Sequence, residues 1–310
     1  MKIAVSGSLA YDRIMDFPGN FADHILPEKI HVLNVSFCTS SFREGFGGTA
    51  GNIGYNLKLL AEEPIIISQA GSDFIKYEKW LHKNKINTSS LKKYKDDLTA
   101  SAYIITDKSD NQITGFYPGA MKQKSIYHLN MIKKAAYFII SPGNKEDMMN
   151  SVKMAKKLKI PYIFDFGQQI AILSRPELLK GILGAKIVIA NDYEIELMLK
   201  KIGLTKKKIL AKIDLLITTL GPKGSLFETK QRRIKIPIAK PKNVSDPTGA
   251  GDAYRAGLIK GLVMNYPWEK VGRLAALVSV YTVEKYGTQT HYFNWADLKK
   301  RYYKNFKEKL

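Results

Sequence analysis

Short apolar runs of strand length recur along the chain, and most close on a small or polar residue: KIAVSG, PIIISQAG, SAYIITD, AAYFIIS, PYIFDFG, AKIVIAND and DLLITTLG. Between several of them apolar positions return at helical spacing, over residues 52–60, 146–158 and 192–202. Near-continuous apolar strands alternating with helices predict a mainly parallel sheet covered on both faces, an α/β/α sandwich. Two segments break the rhythm. Residues 12–46 are rich in aromatics, Pro and Gly, and residues 99–121 set ASAYIITD and QITGFYPGA around the polar turn KSDN, the pattern of a hairpin. Both are assigned to a small β-rich lid over the carboxyl edge of the main sheet, within one domain spanning 1–310. From residue 295 onward the pattern is that of a basic helix.

Composition narrows this picture. With 310 residues, 45% of them hydrophobic, the chain can bury a large core. Cys38 is the only cysteine, which excludes an internal disulfide framework and points to a reducing compartment. No apolar run reaches the ~18 residues of a membrane span, and the opening MKIAVSGSLA reads as a strand rather than a leader. The expectation is a soluble cytoplasmic protein with no membrane partner. The net charge of +21 raises the question of nucleic acid. Yet the lysines are spread over KKYK, KLKI, TKKKI and the terminal KKRYYKNFKEK, with no zinc-finger spacing, RNP-like motif or basic-region heptad. A solvated basic surface is expected, no nucleic-acid partner, and a field that favours anionic phosphate ligands.

The chemistry concentrates in VSDPTGAGDAYRAGLIKGLVM, residues 244–264. Gly249, Ala250 and Gly251 stand directly before an acid, Asp252, and a helical pattern follows. A helix N-terminus offers unpaired N–H groups and partial positive charge, and a loop without bulky side chains lets a phosphate approach them. A carboxylate beside a bound phosphate would repel it unless it has another task. Taking the proton of a hydroxyl that attacks phosphorus in line is such a task. A capped helix after a glycine loop is the plainer alternative. Other nucleotide motifs fail: GxxxxGK[ST] is absent, GAGDAY has Tyr254 where GxGxxG needs its third glycine, and HRD and DFG are missing. His24, His31, His82, His128 and His291 are scattered, with no zinc spacing.

DPTGAGDAYRAGLI resembles the C-terminal signature of the PfkB, or ribokinase-like, family of small-molecule kinases, through Asp246, Gly249, Ala250, Gly251, Asp252, Ala256 and Gly257. GGTAGN (47–52), NDYE (191–194) and TLGPKG (219–224) follow the family's other motifs in order, across nearly the whole chain. After GGTAGN the pattern departs at Gly54 and at Ala61, where a glycine is expected; Gly71 then fits. SGSLAYDRIMDFPG, FYPGAM, NDYE, TTLGPKG and YGTQ are similar to bacterial adenosine kinases within that family.

The resemblance implies a ribokinase-like three-layer α/β/α sandwich with a β-lid, and ATP-dependent phosphorylation of a primary hydroxyl, foremost the 5′-hydroxyl of adenosine. A sugar kinase acting on ribose or a related carbohydrate is the alternative. A nucleic-acid-binding protein on a retained kinase fold is a third reading, which an intact Asp252 disfavours. By the same resemblance Asp252 is the base, with the N–H groups of Gly249, Ala250 and Gly251 and its own stabilising the transferring phosphoryl group. Asp12 would accept from two sugar hydroxyls, Gly47 and Gly48 would admit the sugar and hinge the lid, and Ser8 and Asn52 would complete the acceptor site. Phe116 could stack on a base, on a sugar face, or only within the lid. Gln169 could read a polar edge of the acceptor or lie in a solvated loop. Asn191, Thr219, Gly221 and Gly224 would approach the nucleotide, Glu194 would hold Mg²⁺ through water, and Asp246, with carbonyls of KYGTQT, would hold K⁺. The sequence leaves open whether two copies pair through the lid.

Overall fold

The computed structural model describes residues 1–109 and 111–310. Among these, thirteen strands form two sheets. The main sheet has nine strands: β1 (Lys2–Ser6), β4 (Glu63–Ala70), β5 (Leu91–Lys93), β8 (Tyr137–Ile140), β9 (Tyr162–Phe164), β10 (Ile187–Asn191), β11 (Leu215–Thr219), β12 (Ser225–Glu228) and β13 (Arg233–Ile236). Their order is β13-β12-β11-β10-β9-β8-β1-β4-β5. From β11 to β5 all neighbours run parallel, while β12 and β13 add an antiparallel edge that the apolar pattern does not announce.

The alternation of β1 shows why the sheet is covered twice. Ile3 and Val5 point into one core and Ala4 into the other, and all three are fully buried. The first core lies under α1 (Thr49–Leu59), α2 (Ile75–Lys83), α8 (Ala250–Val263), α9 (Trp268–Val283) and α10 (Trp295–Phe306). The second lies under the short α3 (Leu129–Ile132), then α4 (Lys145–Lys157), α5 (Arg175–Ile182), α6 (Asp192–Ile202) and α7 (Lys206–Leu210). Gly257 lets α8 press on α9, since a Cβ there would lie 2.7 Å from the Ala275 Cα. Ala61, the departure noted above, takes φ +60°, a left-handed conformation that costs a non-glycine residue about 1–2 kcal/mol.

The lid is a four-stranded sheet in the order β3-β2-β6-β7, from β2 (Ala10–Asp16), β3 (Ser41–Gly47), β6 (Ala100–Thr106) and β7 (Gln112–Tyr117). Of the expected hairpin turn, Asp110 lies outside the described residues. Asp12 sits inside the lid strand β2, opposite Gly45 on β3 and Ala102 on β6. No helix among the described residues is long and apolar enough to cross a membrane.

Candidate active site

The anion loop folds as its composition dictates. Gly249 caps α8 in a left-handed conformation, φ +77°, where a side chain would also press on Thr288 at 3.0 Å. The N–H groups of Gly249, Gly251 and Asp252 have no protein acceptor among the described residues, whereas that of Ala250 turns back to the Pro247 carbonyl at 3.1 Å. The cradle is therefore narrower than the sequence implies, with Ala250 contributing shape rather than a donor. Asp252 stands in the first turn of α8, and its Oδ2 accepts from Asn52 Nδ2 at 2.8 Å across 200 residues of sequence. Burial pushes the Asp252 carboxyl up to about 6. Arg255 and the Asn52 hydrogen bond pull against that, and Asp165 adds to it.

Asp12 approaches the Asp252 carboxylate from the lid. Burial, then the charges of Asp252 and Asp246, push its carboxyl up to about 7, and no hydrogen bond reaches it from the described residues. Gly47 is what admits it, since a Cβ there would lie 2.2 Å from Asp12 Oδ2. Gly48, at φ +84°, caps α1 against the Ser8 carbonyl. Across the lid sheet Asp12 aligns with Ala102, and Ala102 with Phe116, so the three side chains share one face. Phe116 is 50% exposed on that face, an aromatic surface without a protein partner covering it.

Two expected acceptor residues are engaged elsewhere. The Ser8 hydroxyl accepts the Thr49 N–H at 3.1 Å and serves the start of α1. The Gln169 amide donates one hydrogen to the Gly143 carbonyl at 2.8 Å, which leaves its second N–H and its carbonyl oxygen. Asn191 and Glu194 form a capping box on α6: Asn191 Oδ1 accepts the Glu194 N–H at 2.8 Å, and Glu194 Oε2 accepts the Asn191 N–H at 3.0 Å. Burial raises the Glu194 carboxyl above its usual range, opposed by that N–H bond.

On the other side of the loop an apolar cavity of about 310 Å³ lies between Thr219, Gly221 and Gly224 on one wall and Ile238, Val244 and Val280 on the other; Ala250 and Gly251 line it too. It is open to the anion loop through those residues, and its size and apolar lining suit a purine with its phosphates directed at the α8 N-terminus. Gly224 adopts φ +88°, and a Cβ would lie 2.2 Å from the Ile236 carbonyl, so glycine is required at this wall. Asp246 ties two loops: Oδ1 accepts from the Thr248 N–H at 2.8 Å and Oδ2 from the Gly287 N–H at 3.0 Å. Among the described residues no group of three or more acidic, His or Cys side chains is arranged to hold a metal. Glu194 keeps one oxygen free of the capping box, which fits Mg²⁺ held mainly by phosphates and water.

The residues that sequence reasoning missed lie behind Asp252 and the loop before it. Arg255 is buried, its guanidinium bidentate on Asp165 at 2.5 and 2.8 Å, and it also donates to the Gly251 carbonyl at 2.9 Å. Gln289 donates to Asn52, and Thr288 donates to the Phe46 carbonyl at the end of β3. Arg255 stands inside the quoted motif and Gln289 inside KYGTQT, but their partners are 90 and 237 residues away.

The comparisons with known proteins agree with this geometry. The model of the pfkB family carbohydrate kinases matches residues 11–294. A protein named nucleoside kinase from Methanocaldococcus jannaschii is 34% identical over 297 residues, covering 95% of this chain and 94% of that one. The structure of Burkholderia thailandensis nucleoside kinase in complex with inosine superposes with a TM-score of 0.90 at 32% identity, over 99% of both chains. The same protein in complex with ADP-inosine gives 0.88 at 33% identity, over 99% of this chain and 97% of that one. On these matches the chain belongs to the pfkB family of carbohydrate kinases and is an ATP-dependent phosphotransferase.

Proposed function

We propose that the chain transfers the γ-phosphoryl group of ATP to the 5′-hydroxyl of a nucleoside, and that adenosine is its preferred acceptor. The observation that carries the reading is the Asp12 carboxylate, held over Asp252 without a protein partner on a lid face that also presents Phe116. Two oxygens of one carboxylate suit the vicinal 2′- and 3′-hydroxyls of a ribose. An aromatic ring on the same face suits the base attached to that ribose. The likeness to nucleoside kinases over the whole chain, one of them in complex with inosine, supports a nucleoside. The bacterial adenosine-kinase motifs support adenosine within that class.

On this reading ATP places its base and ribose in the cavity beside Gly221 and Gly224, with its phosphates at the α8 N-terminus. Asp252 takes the proton as the 5′-oxygen bonds to the γ-phosphorus and the bond from that phosphorus to the β–γ bridging oxygen breaks, releasing ADP. The free N–H groups of Gly249, Gly251 and Asp252 face the charge on the transferring group. Bound Mg²⁺, near Glu194, would supply neutralisation of the phosphate oxygens. Asp246 would hold K⁺ with its remaining lone pairs, and an equal rate in sodium and potassium salts would remove that ion.

The test is an ADP-release assay against adenosine, inosine, cytidine, ribose and fructose. Adenosine should give the highest kcat/KM, with 2′-deoxyadenosine poorer because Asp12 loses a partner. A higher value for inosine would shift the preferred base, and a higher value for a free sugar would replace the nucleoside reading by the carbohydrate one. A second expected result concerns the hinge. Gly47→Ala should raise the acceptor KM by about tenfold or more through displacement of Asp12, with the KM for ATP little changed. Unchanged acceptor KM would mean that Asp12 does not touch the acceptor.

A further inference from the structure

Behind the base, a chain of polar side chains has its direction fixed at one end. The indole N–H of Trp80 can only donate, and it meets Gln289 Oε1 at 3.0 Å. The other end of that amide is therefore the nitrogen, and Nε2 lies 3.0 Å from Asn52 Oδ1 and 2.6 Å from the Tyr77 hydroxyl. Asn52 Oδ1 is thereby the acceptor, and its Nδ2 is turned to the Asp252 carboxylate at 2.8 Å. Having accepted from Gln289, the Tyr77 hydroxyl donates to the Gly47 carbonyl at 2.8 Å. Gln289, Tyr77 and Asn52 are 2%, 0% and 4% exposed, so water does not compete for these bonds. Gln289 uses both hydrogens of its amide and its oxygen, and none of the partners can be exchanged without leaving a buried group unpaired.

We propose that Gln289 and Trp80 are positioning residues for the Asp252 base: they lock the Asn52 amide in the orientation that donates to the carboxylate, and through Tyr77 they tie that lock to the lid hinge at Gly47. This rests on the reading of Asp252 as the base. With the Asn52 amide reversed, its oxygen would face the carboxylate, acceptor against acceptor, and the ionised base would be disfavoured. The other groups around Asp252 are Arg255 on its own helix, Asp165 after β9, Asp12 on the lid and Tyr77 on α2. Arg255 favours the carboxylate, Asp165 and Asp12 oppose it, and burial keeps the Tyr77 phenol un-ionised. Among the described residues Arg255, Asp165 and Asp12 are bonded to neither Gln289 nor Trp80, whereas Tyr77 is held by Gln289 itself, so the Trp80–Gln289 contact reaches Asp252 through the Asn52 amide with Tyr77 as its branch to the lid.

The experiment is the pH dependence of kcat at saturating ATP and acceptor for the parent, Gln289→Met and Trp80→Phe, with the acceptor that the parent uses best, so that bound acceptor keeps the titration of free Asp12 out of the limb. Gln289→Met should move the acid limb up by about 0.5–1 pH unit and lower kcat by roughly tenfold, with the KM for ATP within about twofold of the parent. Trp80→Phe deletes the directing N–H and should move the limb the same way, by less. Melting temperature and ADP binding establish that each variant is folded, and if Gln289→Met is not, Trp80→Phe decides. An acid limb at the parent's pH in the folded variants overturns the proposal whatever happens to kcat, because a merely structural loss does not move the limb. Asp252→Asn, assayed alongside, separates the two levels. Full activity there removes the base assignment beneath the proposal, whereas an inactive Asp252→Asn with an unmoved limb in the other variants removes the proposal alone.

Discussion

Asp252→Asn is expected to lower kcat by on the order of 10³ while ADP binding survives. The substitution keeps the volume of the side chain, and its amide oxygen can still accept from Asn52 Nδ2. The main-chain N–H groups of residues 249, 251 and 252 stay in place, so the phosphate cradle is retained. What is lost is the ability to take a proton. The parent carboxyl, pushed to about 6 by burial against the pull of Arg255 and Asn52, is close to the poise at which a base works best near neutral pH. The base acts when ionised, so the parent's kcat, read with the acceptor bound to Asp12, should fall as the pH drops through about 6, and this limb should be absent from the residual kcat of the variant. Near-parent turnover by Asp252→Asn would take the residue out of the mechanism.

Asp12→Asn should produce two opposite effects. Acceptor kcat/KM should fall by about 10²-fold, because up to two hydrogen bonds to a charged acceptor, each worth about 1.5–3 kcal/mol, are weakened or lost. Stability should rise at pH 8. The Asp12 carboxyl is pushed up to about 7 in the folded chain, from an ordinary value near 4. Between those values the folded chain binds more protons than the unfolded one, so stability falls as the pH rises through this window and stays lower above it. An amide does not ionise, so Asp12→Asn should be more stable than the parent at pH 8 by on the order of 1–3 kcal/mol. The gain should vanish by about pH 4, where both forms are neutral. Melting curves at the two pH values check it. Equal melting temperatures at pH 8 would mean that the carboxylate is well solvated, and a diol clamp at that position would lose its electrostatic basis.

The parts of this protein that were legible in its sequence are those that depend on local rules. The seven apolar runs are all strands: six lie in the main sheet, between its two cores, and SAYIITD is the lid strand β6, only partly buried. Residues 192–202 are a helix because Asn191 and Glu194 cap its start and Gly203 ends it in a left-handed conformation. The start of α8 at Gly249 was legible because a short glycine loop followed by a helical pattern suffices to define it. The antiparallel edge of β12 and β13 was not legible, since RIKI alternates too briefly to stand out. Nor was the support of the site. Asn52 was visible as the residue opening a helix, but its donation to Asp252 depends on Gln289 and Trp80, brought together only by tertiary packing. Ser8 stands in the acceptor site only by the family resemblance; that its hydroxyl accepts the Thr49 N–H, 41 residues on, is again a matter of tertiary packing.

The position of β1 in the sheet has a kinetic consequence. This strand pairs with β4, beginning 61 residues later, and with β8, beginning 135 residues later. At about 5–20 residues per second of synthesis, the β8 side of β1 waits on the order of 7–27 s before its partner exists. In that interval only three of the nine strands of the main sheet, β1, β4 and β5, with α1 across them, can order. An apolar strand left open along one edge is a template for pairing with another chain. Refolding of the complete polypeptide does not impose this delay, although its non-local parallel pairings are slow to close. The yield of folded enzyme should therefore depend more on the speed of translation through residues 64–140 than its thermodynamic stability would indicate.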